Sequence, residues 1–241
     1  MKMIGCIIGR ELRSYFRQPF GYVVIAAVLA VDGLLFNAWA IGSSQRLSSE
    51  VLEAFFYATS GCLLLASIFV AMPLFAEERQ NGTLMLLETS VLKDYQLILG
   101  KYFSGLIFLG ILTALTSYMP LLILLNGKVS LAHILAGYLG LMLLAGSALA
   151  LGLLCSVLAP NQLVSAILSA LLVSVFVLFW LLSRIASPPL DEIISYLALH
   201  DKHFQPFMRG LVSTKDILFY ISLTYVALLM ATRFLEARRW H

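Results

Sequence analysis

The sequence predicts an all-α integral membrane protein with six transmembrane helices, and three observations predict it. Of 241 residues, 61% are hydrophobic and 12% charged, with a mean hydropathy of +0.93, whereas a soluble domain carries roughly 25% charged residues. Apolar runs of spanning length recur at 20–41, 54–76, 102–125, 131–157, 163–183 and 217–232, most of them matching or exceeding the ~20 residues that cross a bilayer core. Every interruption between them carries a charge or a turn signal.

Each run has its own justification. Basic residues precede the first, which ends in Ala38-Trp39-Ala40 and so imitates a signal-peptidase site. Its length exceeds the ~7–15 residues of a signal-peptide core, so it reads as a retained span. The fourth and fifth runs share a stretch without Asp, Glu, Lys or Arg from Lys128 to Arg184, far longer than one crossing needs. Ala159-Pro160-Asn161-Gln162 is therefore the expected reversal point. The last run is short, and Lys215 and Arg233 are expected to snorkel outward from its ends.

An inside N-terminus places Lys2, Arg10, Arg13, Arg17, Arg79, Lys93, Lys101, Arg233, Arg238 and Arg239 in the cytoplasm, against six basic residues outside. The excess of positive charge on inner loops predicts cytoplasmic N- and C-termini. A net charge of +3 and a pI near 8.8 raise the question of nucleic acid, but the basic residues form short clusters between apolar runs, which suits anionic lipid headgroups. Cys6, Cys62 and Cys155 are scattered and odd in number, indicating neither a disulfide framework nor a zinc site. The whole chain, 1–241, reads as one transmembrane domain.

Three non-spanning segments stand out. Within 1–19, Ile4, Ile7, Ile8, Leu12, Tyr15 and Phe16 recur at helical spacing opposite Arg10, Arg13 and Arg17, the pattern of an amphipathic helix lying in the interface. It serves equally as a topology anchor or as an elbow helix touching a cytoplasmic partner. Between spans two and three, 77–101 begins Glu77-Glu78-Arg79-Gln80-Asn81-Gly82-Thr83-Leu84-Met85-Leu86-Leu87-Glu88. Asn81-Gly82 is a turn signal, Thr83 suits the cap of a short helix, and Asp94 suits the cap of the helix entering span three. Leu84, Leu86 and Leu87 on such a loop call for burial in lipid, in the bundle or in another protein.

At this segment the chain resembles the permease subunits of the ABC-2 group of ATP-binding-cassette transporters. Glu77-Glu78-Arg79, Gly82-Thr83-Leu84, Leu86-Leu87 and Leu99-Gly100-Lys101 match that group's pattern in order and spacing, with Met85 standing where an acid is usual and Val91 where proline is usual. Asn161-Gln162, His203-Phe204, Arg209-Gly210 and Asp216 extend the likeness, most of all to the permeases of gliding-motility systems. The resemblance implies a bacterial cytoplasmic-membrane protein whose coupling helix, around Glu77, Glu78, Arg79, Gly82, Thr83, Leu84, Leu86 and Leu87, fits a separate cassette ATPase. It further implies a second permease subunit, identical or similar, and ATP and magnesium held by the ATPase rather than by this chain.

Asp32 is the only formal charge well inside a span, where a carboxylate costs at least ~2.5 kcal/mol. Two readings fit it: a polar pathway shared with Asn37, or a position close to the outer interface. The outer segment 184–216 carries Pro188-Pro189 and then Leu190, Ile193, Ile194 and Leu197 on one helical face, an interfacial or re-entrant helix. His200, Asp201 and His203 lack a third strong ligand for a metal and read as a solvated turn. Pro120 and the glycines Gly137, Gly140, Gly146 and Gly152 read as sites of kinking and close helix packing.

An enzyme is disfavoured: the chain has no H-E-x-x-H, no G-x-S-x-G, and no second intraspan aspartate. Nor has it a phosphate-binding loop, because Tyr102 follows Gly100-Lys101 and Tyr95 stands where the first glycine belongs. The remaining rival to transport is a membrane scaffold or force-transmitting subunit of an ATPase-coupled complex. A continuous cavity lined by Asp32, Asn37, Ser60, Ser67, Thr113, Thr116, Ser165 and Ser169 would separate the two.

Overall fold

The computed structural model describes residues 2–41, 47–83, 93–126, 129–187 and 190–238. Among them there is no strand, and six helices are long and apolar enough to cross a membrane: Pro19–Ala38, Ser48–Gln80, Asp94–Leu125, Leu131–Leu158, Gln162–Ser183 and Thr214–Ala237. The chain is a multi-pass membrane protein. The last span, expected to be short, is 24 residues long because Thr214-Lys215-Asp216 and the stretch after Thr232 continue the helix. Charged side chains at both ends bound the apolar run without bounding the helix.

Spans two and four form the buried centre, while spans one, five and six expose rows of apolar side chains, among them Leu34, Leu171 and Tyr225. Lipid has to cover those rows, or another subunit does. Close approach of the central helices depends on missing side chains. A Cβ at Gly137 would overlap the Phe56 ring of span two, and one at Gly140 would lie 2.5 Å from Phe207 Cβ.

Two prolines divide spans. Pro120 removes an amide and crowds the Thr116 carbonyl, so span three breaks into Asp94–Leu115 and Tyr118–Asn126 around Thr116-Ser117. Pro73 divides span two into Ser48–Ala71 and Pro73–Gln80. Between spans four and five the reversal lies at 159–161, with the Asn161 side chain accepting a hydrogen bond from the Val164 amide at 2.9 Å as an N-cap.

The N-terminal helix Lys2–Arg17 packs on the start of span three, and the end of the bundle where it lies is the base. At the opposite end, Leu190–Leu197 and Asp201–Met208 are two short helices before span six. The Leu199 amide between them donates to the Phe176 carbonyl of span five at 3.0 Å. The His200–His203 stretch is not a solvated turn. His203 is 2% exposed, stacks on Phe219 at 3.8 Å, and bonds through Nδ1 to Asp216 at 2.6 Å and through Nε2 to the Tyr196 carbonyl at 2.8 Å. Both ring nitrogens are thus committed, leaving none for a metal. Sequence spacing missed this because Asp216 and Tyr196 come from flanking helices.

Candidate functional site

The base is built around the end of span two. Proline at position 73 leaves the first amides of the helix Pro73–Gln80 without intrahelical partners. Ser156 of span four supplies them: its Oγ accepts from the Phe75 and Ala76 amides, each at 3.1 Å, and donates to the Met72 carbonyl at 3.1 Å. One hydroxyl therefore holds the kinked helix to its central neighbour.

That helix ends on Gly82, whose φ of 69° is the left-handed conformation glycine adopts without strain. The Gly82 amide donates to the Arg79 carbonyl at 3.1 Å and the Thr83 amide to the Glu78 carbonyl at 2.9 Å, the Schellman closure of a helix. The Thr83 hydroxyl also donates back to the Glu78 carbonyl at 3.2 Å. Asn81-Gly82-Thr83 thus terminates span two, a role the sequence pattern did not separate from starting the next element. Lys93, not Asp94, occupies the N-cap of span three, and Asp94 lies in its first turn.

Arg79 reaches sideways to the C-terminus of span four, donating to the carbonyls of Val157 at 2.6 Å, Leu158 at 3.1 Å and Ala159 at 2.5 Å. A guanidinium suits that position, the C-terminal end of a helix, where carbonyls run out of helical amides and the dipole is negative. Beside it, Gln80 Oε1 accepts from the Gln162 amide at the start of span five at 3.4 Å.

Lys101 completes the site. It is 1% exposed, with Nζ 2.9 Å from Glu78 Oε1 and 3.2 Å from Glu11 Oε1, and it lies over the Phe75 ring. Arg10 reaches the same two carboxylates at 2.7 Å to Glu11 and 3.3 Å to Glu78. Two acids and two cations therefore join the N-terminal helix to spans two and three. Burial works to raise the Glu11 carboxyl, but Lys101 and Arg10 outweigh it and hold it below its ordinary value. The contact requires Gly100, since a Cβ there would lie 2.8 Å from Ile7 Cγ2.

No family model matches the chain, and no curated protein does.

The structure brings Arg10, Glu78, Arg79 and Gly82 together at the base, with Glu77 beside them. Leu84, Leu86 and Leu87 lie outside the described residues. Arg13 and Arg17 are exposed on the N-terminal helix and, among the described residues, have no acidic partner. Asp32 and Asn37 do not share a described pathway. Asp32 is fully buried and accepts from the Thr59 hydroxyl at 2.9 and 3.1 Å, whereas Asn37 is exposed. Thr59 of the next span thus satisfies the Asp32 carboxylate inside the bundle. The other polar intraspan groups mostly serve helix backbone: Ser67 donates to the Leu64 carbonyl, Thr113 to Leu109, Thr116 to Thr113 and Ser169 to Gly152.

Sequence reasoning missed Glu11 and Ser156, and named Lys101 only within the family-like pattern and the inner basic residues. For Glu11 a signal existed: it stands four residues from both Ile7 and Tyr15, inside the stripe that packs on the bundle. An acid there needs a buried cation.

Proposed function

We propose that this chain is the permease subunit of an ATP-binding-cassette transporter of the ABC-2 type. It couples ATP hydrolysis by a separate ATPase to export or extraction of a substrate across the bacterial inner membrane. The termini and the base then face the cytoplasm, a second permease copy or a similar chain completes the pathway, and ATP with magnesium is bound by the ATPase. The N-terminal helix serves as the elbow, and the stretch that begins at Glu77 is the part that couples to the ATPase.

One observation carries this reading. The seven residues 77–83, which hold the most specific part of the family-like pattern, are tied to four other elements. Glu78 meets Lys101 of span three and Arg10 of the N-terminal helix, Arg79 holds the end of span four, and Gln80 holds the start of span five. A push on the residues that follow is delivered to most of the bundle at once. Ordinary loops make few such attachments, whereas a lever needs them.

The polar residues that serve helix backbone instead of lining one cavity favour a second reading, a force-transmitting subunit that moves no substrate. Both readings share one test of coupling. The chain is co-purified with the ATPase encoded beside it, and ATP hydrolysis is measured in lipid with Gly82→Asp and Leu86→Asp variants. The expected result is a stable complex whose stimulated hydrolysis falls to the level of the isolated ATPase in both variants. Failure to form a complex, or full stimulation in both variants, refutes ATPase coupling. Vesicle uptake of candidate substrates then separates transport from force transmission.

A further inference from the structure

The exposed side of the N-terminal helix carries a recess of about 650 Å³ lined by Gly5, Gly9, Arg10, Arg13, Ser14 and Arg17. Gly5 and Gly9 leave it open, with nothing within 4 Å of where a Cβ would stand. Arg10 is committed to Glu11 and Glu78, which leaves Arg13 and Arg17 as its uncompensated cations among the described residues. Gln18 alone separates this helix from the first span. Arg17 therefore stands next to the start of the first apolar span, where an interfacial helix meets lipid headgroups. Phe16 and Tyr22, both exposed and in edge contact, mark the same place, as aromatic side chains do at membrane interfaces.

A second recess of about 280 Å³ lies between the N-terminal helix and the Pro73 break, lined by Glu11, Ser14, Tyr15, Gln18, Pro73 and Glu77 among others. Ser14 and Gln18 line both recesses. Glu11 is neutralised by Lys101 and Arg10, but Glu77 has no cationic partner among the described residues. Among the described residues, two guanidiniums without an acidic partner thus stand on one side of a shared Ser-Gln wall and one carboxylate without a cationic partner on the other.

We propose that these adjoining recesses bind the headgroup of a phospholipid carrying both a phosphodiester and a primary ammonium, of the phosphatidylethanolamine class. The phosphate oxygens accept from Arg13 and Arg17, for which a guanidinium fork is well shaped. The ammonium donates to Glu77, with Ser14 and Gln18 between. A purely anionic headgroup satisfies the arginines but brings no cation to Glu77. A trimethylated headgroup brings the charge but has no N–H to donate.

The test is lipid retention by the full chain in mixed micelles, read by native mass spectrometry. Phosphatidylethanolamine, phosphatidylcholine and phosphatidylglycerol of identical acyl chains serve as probes. The ethanolamine lipid is expected to be retained about tenfold over the choline lipid, the value of one charge-assisted hydrogen bond. Glu77→Gln is expected to abolish that preference while leaving retention, and Arg13→Gln with Arg17→Gln to abolish retention of all three. Equal retention of the glycerol and ethanolamine lipids, an undiminished preference in Glu77→Gln, or unchanged retention in the arginine double variant overturns the proposal. Soluble glycerophosphoethanolamine, lacking acyl chains, is expected not to displace the lipid at equal concentration, and displacement by it assigns the site to a soluble ligand instead. These side chains are exposed or half-buried, and monodisperse elution of each variant separates loss of binding from loss of fold.

Discussion

Replacing Lys101 by Met tests whether the N-terminal helix is held to the bundle by charge. The substitution keeps the aliphatic stem and removes the ammonium from between Glu78 and Glu11, at 2.9 and 3.2 Å. Each contact is worth about 5 kcal/mol at an effective dielectric of 20, most of it offset by desolvation. Deleting one partner of a buried pair costs about 3–5 kcal/mol, because the stranded charges keep their desolvation cost. The two carboxylate side chains are 15% and 18% exposed, so water and Arg10 relieve part of it, and the low end, about 3 kcal/mol, is expected. That corresponds to on the order of 100-fold in the undocking equilibrium of Lys2–Arg17. Amide hydrogen exchange of those residues in lipid nanodiscs reads it directly.

The pH dependence supplies a second check. Glu11 is held below its ordinary value of 4.5, so its contribution to docking is fully present above that pH and lost as pH falls through its lower, docked-state value. Lys101 is the largest charge opposing burial at Glu11, so in the variant that loss of docking at low pH is expected to shrink. Adding Glu11→Gln and Glu78→Gln to the variant removes the stranded charges and is expected to restore part of the protection. Unchanged exchange in Lys101→Met, or no recovery in the triple variant, refutes the reasoning.

Arg79→Leu removes a charged donor from three carbonyls of span four and is expected to lower the melting temperature by the equivalent of about 1.5–3 kcal/mol, measured by thermal shift in detergent. Arg79→Lys is expected to recover only part, since an ammonium cannot fork across three carbonyls. His200, whose Nε2 lies 2.7 Å from Ser60 Oγ, is pushed below its ordinary value of 6.5 by burial, against the opposing charge of Asp201. Its contribution to stability is therefore present above 6.5 and lost as pH falls below it. Hydrogen exchange of residues 190–208 is expected to quicken on acidification in the parent and to stay flat in His200→Gln.

Much of this protein is legible without coordinates, for physical reasons that act locally. Crossing a bilayer demands about 20 apolar residues whatever their partners, so the six spans and the reversal at 159–162 follow from residue order. The amphipathic character of Lys2–Arg17 is legible for the same reason, as helical spacing sorts Ile7 and Tyr15 from Arg13 and Arg17. The helical extent of the last span was less legible, because helix propensity carries Lys215 and Arg233 as readily as their apolar neighbours.

What the tertiary structure alone decided is which polar groups meet. His200 and His203 look solvated in sequence and are buried because Ser60, Asp216 and the Tyr196 carbonyl arrive from elsewhere in the chain. Asp32, a lone charge in the sequence, is buried beside Thr59 of the next span, which donates to it. Lys101 looks like a loop-side charge at the start of a helix, and becomes the centre of the base only when Glu11, 90 residues away, packs beside Glu78. The sequence by itself determined how many times the chain crosses and which stretches lie along the surface, since burial of apolar area is additive along the chain. Only the tertiary structure decided how the base is joined, because a buried charge is stable solely beside the partner that compensates it.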